Sequence, residues 1–583
     1  MASSTQINMV RGVFLCLVVA LATGLRLSPS LQAVSSRLQA TTVSNDAETT
    51  AWGVQSWRDG YATVQKENVQ ILDGTLPADL EGTYFRNGFG KFEIGKTSRQ
   101  EGLKILHPFD ADGLVAAVTM KDGKGTYRHS FVRTKGFKKE SKTREMSGRG
   151  TFGNHKPKGL FGNFLSIGLK NVANTNVMYW GERLLALWEG GLPYKLEPDS
   201  LRTTAEYTFK GLLKKGETFT AHPRIDTNTN RLVGFSARNS PSESSITVHE
   251  FDQGLNPVSQ RSFTVPGLAF FHDFVVTKNY YVFNAPPLKF DPLPFALGTK
   301  APAQCIEYVS GQPSMLYLVP RDRSPIMKVA VDPHFNFHFA NGYEDEKTGE
   351  LIFDVVWADR MELGAGGSDT IPIWDTVDFG KEVPFSTLKR YILTPTGDKD
   401  ENGAPTWSHK SMKLSSRGMD FTSVNPKISC QQHRYIYANY GRDPAKASPP
   451  QGLIKVDVLG GTEQTWIGGP DEYLGEAIFA PKKNTPANAA EDDGYLLSYL
   501  SDYKKGKSEF VIFDAKDITK GPIYRSPLAV PLPHGLHGTY ADGLTFEQDD
   551  IVSRWKACNA LDNKVGWNEV KSGFSGLGIS YDL

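Results

Sequence analysis

Cysteine is rare in this 583-residue chain: four in all, Cys16, Cys305, Cys430 and Cys558, far apart and with no CxxC pair. Such spacing speaks against a disulfide framework and against a structural zinc knuckle. Net charge is nearly absent too. Lys plus Arg number 65 and Asp plus Glu 64, a formal +1, with neither a basic nor an acidic tail, so no nucleic-acid partner is expected. The apolar run at 13–25 is too short to span a bilayer. No GxSxG elbow marks a serine hydrolase, and no low-complexity linker splits residues 52–550, which read as one domain. What the chain does hold is 56 glycines, 34 prolines, 11% aromatic and 39% hydrophobic residues, against 22% charged. That mixture excludes wholesale disorder and suits many short strands joined by tight turns.

The two ends stand apart from that stretch. Residues 1–45 contain no Asp or Glu. Arg11 precedes the apolar run and Ala20-Leu21-Ala22 offers a small-residue cleavage pattern, so residues 1–22 read as a signal peptide. Residues 23–45 are rich in Ser and Thr and carry Arg26 and Arg37 without an acid, the chemistry of a transit peptide. A signal followed by a transit-like stretch points to a plastid bounded by extra membranes; simple secretion is the alternative. Residues 551–583 form a C-terminal extension, with helical character in the tail after Thr545 and no functional reading.

Runs with strand character recur throughout, at 183–188, 231–236, 245–251, 280–283, 315–319, 351–357, 390–393, 435–440, 494–500 and 509–513. Most carry β-branched or aromatic residues and are flanked by Gly, Asn, Asp or Pro. An all-β chain this long must manage its sheet edges, and a propeller does so by radial repetition. About 500 residues over seven blades gives roughly 70 per blade, although composition alone leaves the blade number open.

One pattern repeats. His222, His272 and His338 each stand before a short extended run, a turn-rich loop and a second strand. They are spaced by about one blade each, and equivalent positions on propeller blades converge near the axis. His534 and His537 lie about three blades farther on; Gly535 and Gly538 beside His537 permit close backbone approach and favour it as the fourth member. His107, His129, His155, His249, His334, His409 and His433 do not repeat the placement and read as ordinary surface or core residues. Neutral imidazole suits Fe, Zn, Cu or Ni. Four imidazoles on a rigid frame fill four places of an octahedron and leave two open, whereas catalytic zinc usually takes three protein ligands. That favours a redox metal, ferrous iron first, one per chain.

Seven segments in order carry a family resemblance: Glu81-Gly82-Thr83-Tyr84-Phe85-Arg86-Asn87-Gly88, His107-Pro108-Phe109-Asp110-Ala111-Asp112-Gly113, the Trp188-Glu189-Gly190-Gly191 stretch, Ala221-His222-Pro223, His272-Asp273-Phe274, Phe337-His338 through Tyr343-Glu344-Asp345, and Leu536-His537-Gly538. Together they resemble the carotenoid cleavage oxygenase family over nearly the whole chain. The resemblance implies an all-β, seven-bladed β-propeller with a helical and loop cap over its metal-bearing face. It implies non-haem Fe(II) held by His222, His272, His338 and His537, with acidic partners behind three of them to fix the ring tautomers. The matching positions are Glu189, Glu476 and Asp420; solvated loop charges are the bland alternative for all three. At the third position the family normally has Glu-Phe-Pro, whereas this chain has Asp420-Phe421-Thr422. Aspartate is one methylene shorter, so it must approach more closely or act through water. After Asn87-Gly88 the family continues Pro-Asn-Pro and this chain has Phe89-Gly90, which weakens any inference about substrate branch.

The resemblance implies that O2 and one double bond of a carotenoid or apocarotenoid meet at the iron, giving two carbonyl products. A polyene isomerase, a stilbene-type cleaver and a non-catalytic pigment-binding propeller are the alternatives. Substrates of this kind dissolve in membranes, so peripheral membrane contact is expected. Leu160, Phe161, Phe164 and Leu165 fall at helical spacing in 159–170, flanked by Lys156, Lys158 and Lys170, as an interfacial helix would; a core-packing helix is the alternative. The stretch 286–295, rich in Pro, Leu and Phe, is a further candidate for the mouth of the substrate passage.

Overall fold

The ten apolar runs, bounded by turn residues, fall on strands of six of the seven antiparallel sheets arranged as the blades of a propeller, with Trp188 one residue past the end of its strand. The computed structural model describes residues 52–95, 101–154, 163, 168–240, 242–364, 370–486 and 488–575, with 563–575 as backbone only. The leader and the predicted membrane-contact residues Leu160, Phe161, Phe164 and Leu165 lie outside the described residues. No helix among the described residues is long and apolar enough to cross a membrane.

The blades follow the chain. The second runs from Asn176–Trp180 to Thr203–Glu206, the third from Arg224–Asp226 to Pro257–Pro266, and the fifth from Phe339–Glu344 to Pro405–Lys413. The first blade is completed from both ends of the chain: Gly535–Asp542 pairs antiparallel with Gly82–Lys91, in a register that sets Tyr84 opposite Tyr540 and Arg86 opposite Gly538. The last strand thus closes the ring with backbone hydrogen bonds. A closed ring leaves only short, protected edges along which another chain could pair.

Period-two alternation explains why the strands read as nearly continuous apolar runs. Successive side chains point to opposite faces, and both faces of a blade are covered by neighbouring blades. Leu232 packs against the second blade with Leu185 and Phe251, while its neighbour Val233 packs against the fourth with Phe283 and Val319. Seven such clusters are found, one at each blade interface. Burying one of these leucines or phenylalanines stabilises the fold by about 1.5–3 kcal/mol.

Short helices, Ile373–Thr376 and Phe379–Glu382, sit in a long connection of the fifth blade and roof a cavity on the metal-bearing face. Past the ring, the helix Gln548–Ser575 packs on the first blade. Its Ile551 and Trp555 are buried, Trp555 Nε1 donates to Ser130 Oγ (3.2 Å), and Arg554 pairs with Asp199 of the second blade (2.5 Å).

Candidate metal centre

Each blade has an innermost strand that runs along the axis, and the residues just before or at its start surround a common point. His222 precedes Arg224–Asp226, His272 precedes Val275–Val276, His338 precedes Phe339–Glu344, and His537 lies inside Gly535–Asp542. These four histidines therefore come from the third, fourth, fifth and first blades. One ligand atom of each lies within 4.8 Å of the others.

The three acids stand behind them. His272 Nδ1 lies 2.8 Å from Glu189 Oε1, His338 Nδ1 2.6 Å from Asp420 Oδ1, and His537 Nδ1 2.9 Å from Glu476 Oε1. Glu476 also accepts from Gly538 N at 2.8 Å, clamping the strand that bears His537. With Nδ1–H donated to a carboxylate, each ring turns its Nε2 lone pair inward. Asp420 reaches its histidine directly, without bridging water. The register slips between Asp420 and Ser423, Phe421 takes a left-handed backbone (φ 55°), and Phe421 N donates to Asp420 Oδ1 at 2.7 Å. This local bulge carries the shorter side chain in.

Electrostatics follow from that arrangement. Burial, then the neighbouring imidazoles and Arg224, push His222 well below the ordinary histidine range. Burial also lowers His537, against the pull of Glu476. For His338 burial again opposes charge, yet Asp420 outweighs it and the ring is raised. Burial raises Glu189 and Asp420, but His272 and His338 respectively override it and both acids end up lowered.

The donor set fits a divalent cation. His222 Nε2 and His272 Nε2 face each other at 2.9 Å, and His338 Nε2 is buried without a hydrogen-bond partner. Converging lone pairs repel unless a proton or a metal lies among them, and all-imidazole donation suits Fe, Cu, Ni or Zn.

Beneath the quartet a lock holds the inner strands together. Arg224 pairs with the fully buried Asp273 and donates to the carbonyl oxygens of Phe274 (3.2 Å) and Phe339 (2.7 Å), while Asp273 accepts from Phe339 N at 2.8 Å. Sequence reasoning passed over both residues, although each directly follows or nearly follows a ligand. Two of the histidines set aside earlier, and His534, have partners of their own. His433 binds the buried Asp354, His107 Nε2–H donates to Leu363 O, and His534 bonds Trp57 O at 2.9 Å rather than joining the quartet. His155 lies outside the described residues.

Several cavities meet the site among the described residues. One of about 330 Å³ reaches Phe421 and Glu476 and is walled by Trp57, Phe89, Trp374 and Phe379. A second, about 420 Å³, reaches His272 and Glu189 past Trp188, Phe270 and Phe271. The third, about 170 Å³, is polar and lies along the axis by Arg224, Thr422 and Ser423. The 286–295 stretch lines neither apolar cavity; its helix Pro292–Leu297 instead exposes Leu293 (61%) and Leu297 (41%).

Fold and site together define a β-propeller protein with an all-imidazole metal site on its axis. Residues 60–542 match the family model described as retinal pigment epithelial membrane protein, and the chain belongs to this family, that of the carotenoid cleavage oxygenases. It is 34% identical over 502 residues to the apocarotenoid-15,15'-oxygenase of Synechocystis, covering 84% of this chain and 97% of that one. It is 26% identical over 550 residues to resveratrol cleavage oxygenase 1 of Chaetomium globosum, covering 85% and 87%. Among solved structures, the cobalt-substituted Synechocystis ACO superposes with a TM-score of 0.77 at 33% identity, covering 85% of this chain and all of that one.

Proposed function

We infer that the protein is an iron-dependent dioxygenase that cleaves one C=C bond of a carotenoid or apocarotenoid. The observation that carries this reading is the quartet itself: four inward Nε2 atoms, three of them held in one tautomer by carboxylates, opening onto apolar cavities. Ferrous iron held there supplies one-electron and dioxygen chemistry. One C=C bond and one O2 become two carbonyl groups, so the reaction balances without an external reductant. The chain's own part is to bind, orient and keep dry. Conjugated double bonds along a polyene differ little in reactivity, so the cavity walls choose the bond by position. Trp57, Phe89, Trp374 and Phe379 present flat apolar faces to a flat chain, and Phe421, 5.1 Å from His537 and 5.7 Å from His338, borders the reacting space.

The relative that cleaves resveratrol favours a second reading, a stilbene-type substrate, since the aromatic walls would accept two aryl rings as well. Anaerobic Fe(II) loading followed by carotenoids, apocarotenals and a hydroxystilbene, under isotopically heavy O2, tests both. Heavy oxygen in two carbonyl products from a polyene supports the first reading. Cleavage of the stilbene alone supports the second, and a rearranged product without heavy oxygen overturns both in favour of isomerisation.

We further propose that the protein acts at a membrane in a plastid, with the secretory pathway as the alternative. The acid-free leader at 1–45 supports the compartment. The apolar set Leu160, Phe161, Phe164 and Leu165, with Leu293 and Leu297 exposed on the short helix whose following Gly298 stands against Asn163, supports peripheral membrane contact. Vesicle flotation of a variant with Phe161, Phe164 and Leu165 changed to Ser checks this; unchanged binding removes the segment from the contact.

A further inference from the structure

The inner strand of the sixth blade, Met419–Ser423, brings Asp420 and Phe421 to the metal centre, and a small apolar chamber of about 190 Å³ lies against both. Its space begins at Gly418, just before the strand. A Cβ there would stand 2.5 Å from Phe385 Cε2, so the Phe385 ring packs against bare backbone. The connection that follows the roof helix Phe379–Glu382 supplies one wall, and the half-buried Ala447 stands toward the outer end. The polar groups on its surface are mostly engaged elsewhere. Asp420 Oδ1 lies 2.6 Å from His338 Nδ1, and Asn439 Nδ2 donates to Leu474 O (3.1 Å) and Gly475 O (2.9 Å); Asn439 Oδ1, unpaired, is the exception.

This chamber and the larger cavity beneath the roof share Phe379, Val383, Phe421 and Pro450, which therefore form the partition between them. Phe421 is the member beside the metal centre, its ring 5.7 Å from that of His338 and 5.1 Å from that of His537. Its left-handed backbone is pinned by the bond from Phe421 N to Asp420 Oδ1. A polyene lying across the metal fills the two larger apolar approaches, and the axial cavity by Arg224, Asp273 and Thr422 is polar. Dioxygen is small and apolar, so it gains by leaving water for an apolar space. It also needs a way in that the bound chain does not plug. At about 190 Å³ the chamber is little over half the size of the roofed cavity, about 330 Å³. Apolar cavities of roughly 150 Å³ stay dry and take up gas atoms such as xenon.

We propose that this chamber holds dioxygen, filled independently of the polyene, and delivers the gas to the metal centre past the Phe421 ring. The inference rests on the cleavage reading above and adds the route of its second substrate. Phe421 then separates two substrates rather than only lining the space for one. Because the two routes are distinct, polyene and gas bind without competing, and excess polyene leaves the KM for O2 unchanged.

Xenon, an apolar gas located by its anomalous X-ray scattering, tests the chamber without turnover in crystals of the full-length cobalt-loaded protein. In parallel, an oxygen electrode measures kcat and KM for O2 at saturating polyene for the Fe(II)-loaded wild type and for Ala447→Phe, whose ring fills the outer end. Ala447→Leu is the milder filling, and melting temperature checks the folding of both. Wild type is expected to hold xenon between Phe385, Gly418 and Phe421, and Ala447→Phe to lose it. In that variant kcat/KM for O2 falls about fivefold or more, while kcat under raised O2 pressure and KM for the polyene stay at wild-type values. A chamber that holds ordered water or nothing under xenon overturns the proposal while leaving cleavage standing. So does an unchanged kcat/KM for O2 in a folded variant that has lost its xenon. Xenon in the chamber without O2 uptake on any polyene or stilbene keeps the gas site and overturns the cleavage reading instead.

Discussion

Replacing Asp420 with Asn removes one charge from behind one imidazole and little else, so its consequences can be worked through. The carboxylate holds His338 Nδ1 at 2.6 Å, sets which nitrogen faces the shared centre, and raises the ring's affinity for a proton. Loss of such an outer partner weakens metal binding by about 10–100-fold, or roughly 1.4–2.7 kcal/mol. A second effect runs the other way. Because Asp420 raises His338 above the ordinary imidazole value near 6.5, a metal entering at low pH must displace a proton from that ring. The wild-type affinity therefore falls as pH drops through the raised value. In Asp420→Asn the ring holds its proton less tightly, so the fall begins at lower pH. The deficit of the variant is thus largest near pH 8 and shrinks toward pH 6.

Cobalt(II) titration against a competing chelator, read from its visible absorption, measures this directly at both pH values, with thermal melting as the check on folding. Equal affinities at pH 8, or a deficit that widens at pH 6, would refute the role given to Asp420.

Three further outcomes follow from other parts of the fold. Asp354 is fully buried between Arg390 (2.7 Å) and His433 (2.7 Å) and is lowered to about 2. Its unfolded value is near 3.9, so it contributes about 2–3 kcal/mol that is complete above pH ~4 and lost as pH falls toward 2; Asp354→Asn should cost about 3–5 kcal/mol at neutral pH by urea unfolding and flatten that acid-side loss. Alanine at Gly538 would set its Cβ 2.3 Å from Phe85 O, backbone against backbone, in the strand pair that closes the ring beside His537; a drop in melting temperature with at least about tenfold weaker cobalt binding is expected, and wild-type binding would count against the tight closure. Trp555→Ala, in the C-terminal helix, should cost about 3 kcal/mol of stability and leave the cobalt spectrum unchanged, since the helix packs on the outer first blade.

How much of this was legible in the sequence depended on how local the signal was. The strands could be read because blade packing buries both faces, so that a run such as Leu351–Trp357 is apolar throughout and ends at turn residues. The quartet could be read because His222, His272 and His338 each precede the first strand of a blade, and blade spacing is a sequence period. Choosing His537 over His534 rested on glycine alone, and Gly538 does lie against Phe85 O. Asp420 could be located only through the resemblance, and its direct contact depends on a bulge that no propensity signals. The polar groups lining the cavity beneath the roof helices were beyond reach. Arg86, Tyr61, Tyr503 and His534 come from opposite ends of the chain and meet only because the last strand returns to the first blade. Their alignment is a property of ring closure.

Ring closure also distributes the site's charge. Three blades place histidines at the starts of their inner strands and the first blade adds His537, while the second, sixth and seventh place Glu189, Asp420 and Glu476 behind three of those rings. Four neutral imidazoles cannot balance three carboxylates, and the nearby Arg224 is already committed to Asp273. Charge taken out of water needs an opposite charge beside it. In the metal-free chain a proton is the available counter-ion, and His338 is raised beside the carboxylate that approaches most closely, at 2.6 Å. A divalent cation among the Nε2 atoms offsets two of the three negative charges through the rings themselves. The carboxylates therefore bind metal at one remove. Removing them one at a time should weaken cobalt binding in steps, and removal of Asp420 should also lessen the release of protons as the metal enters.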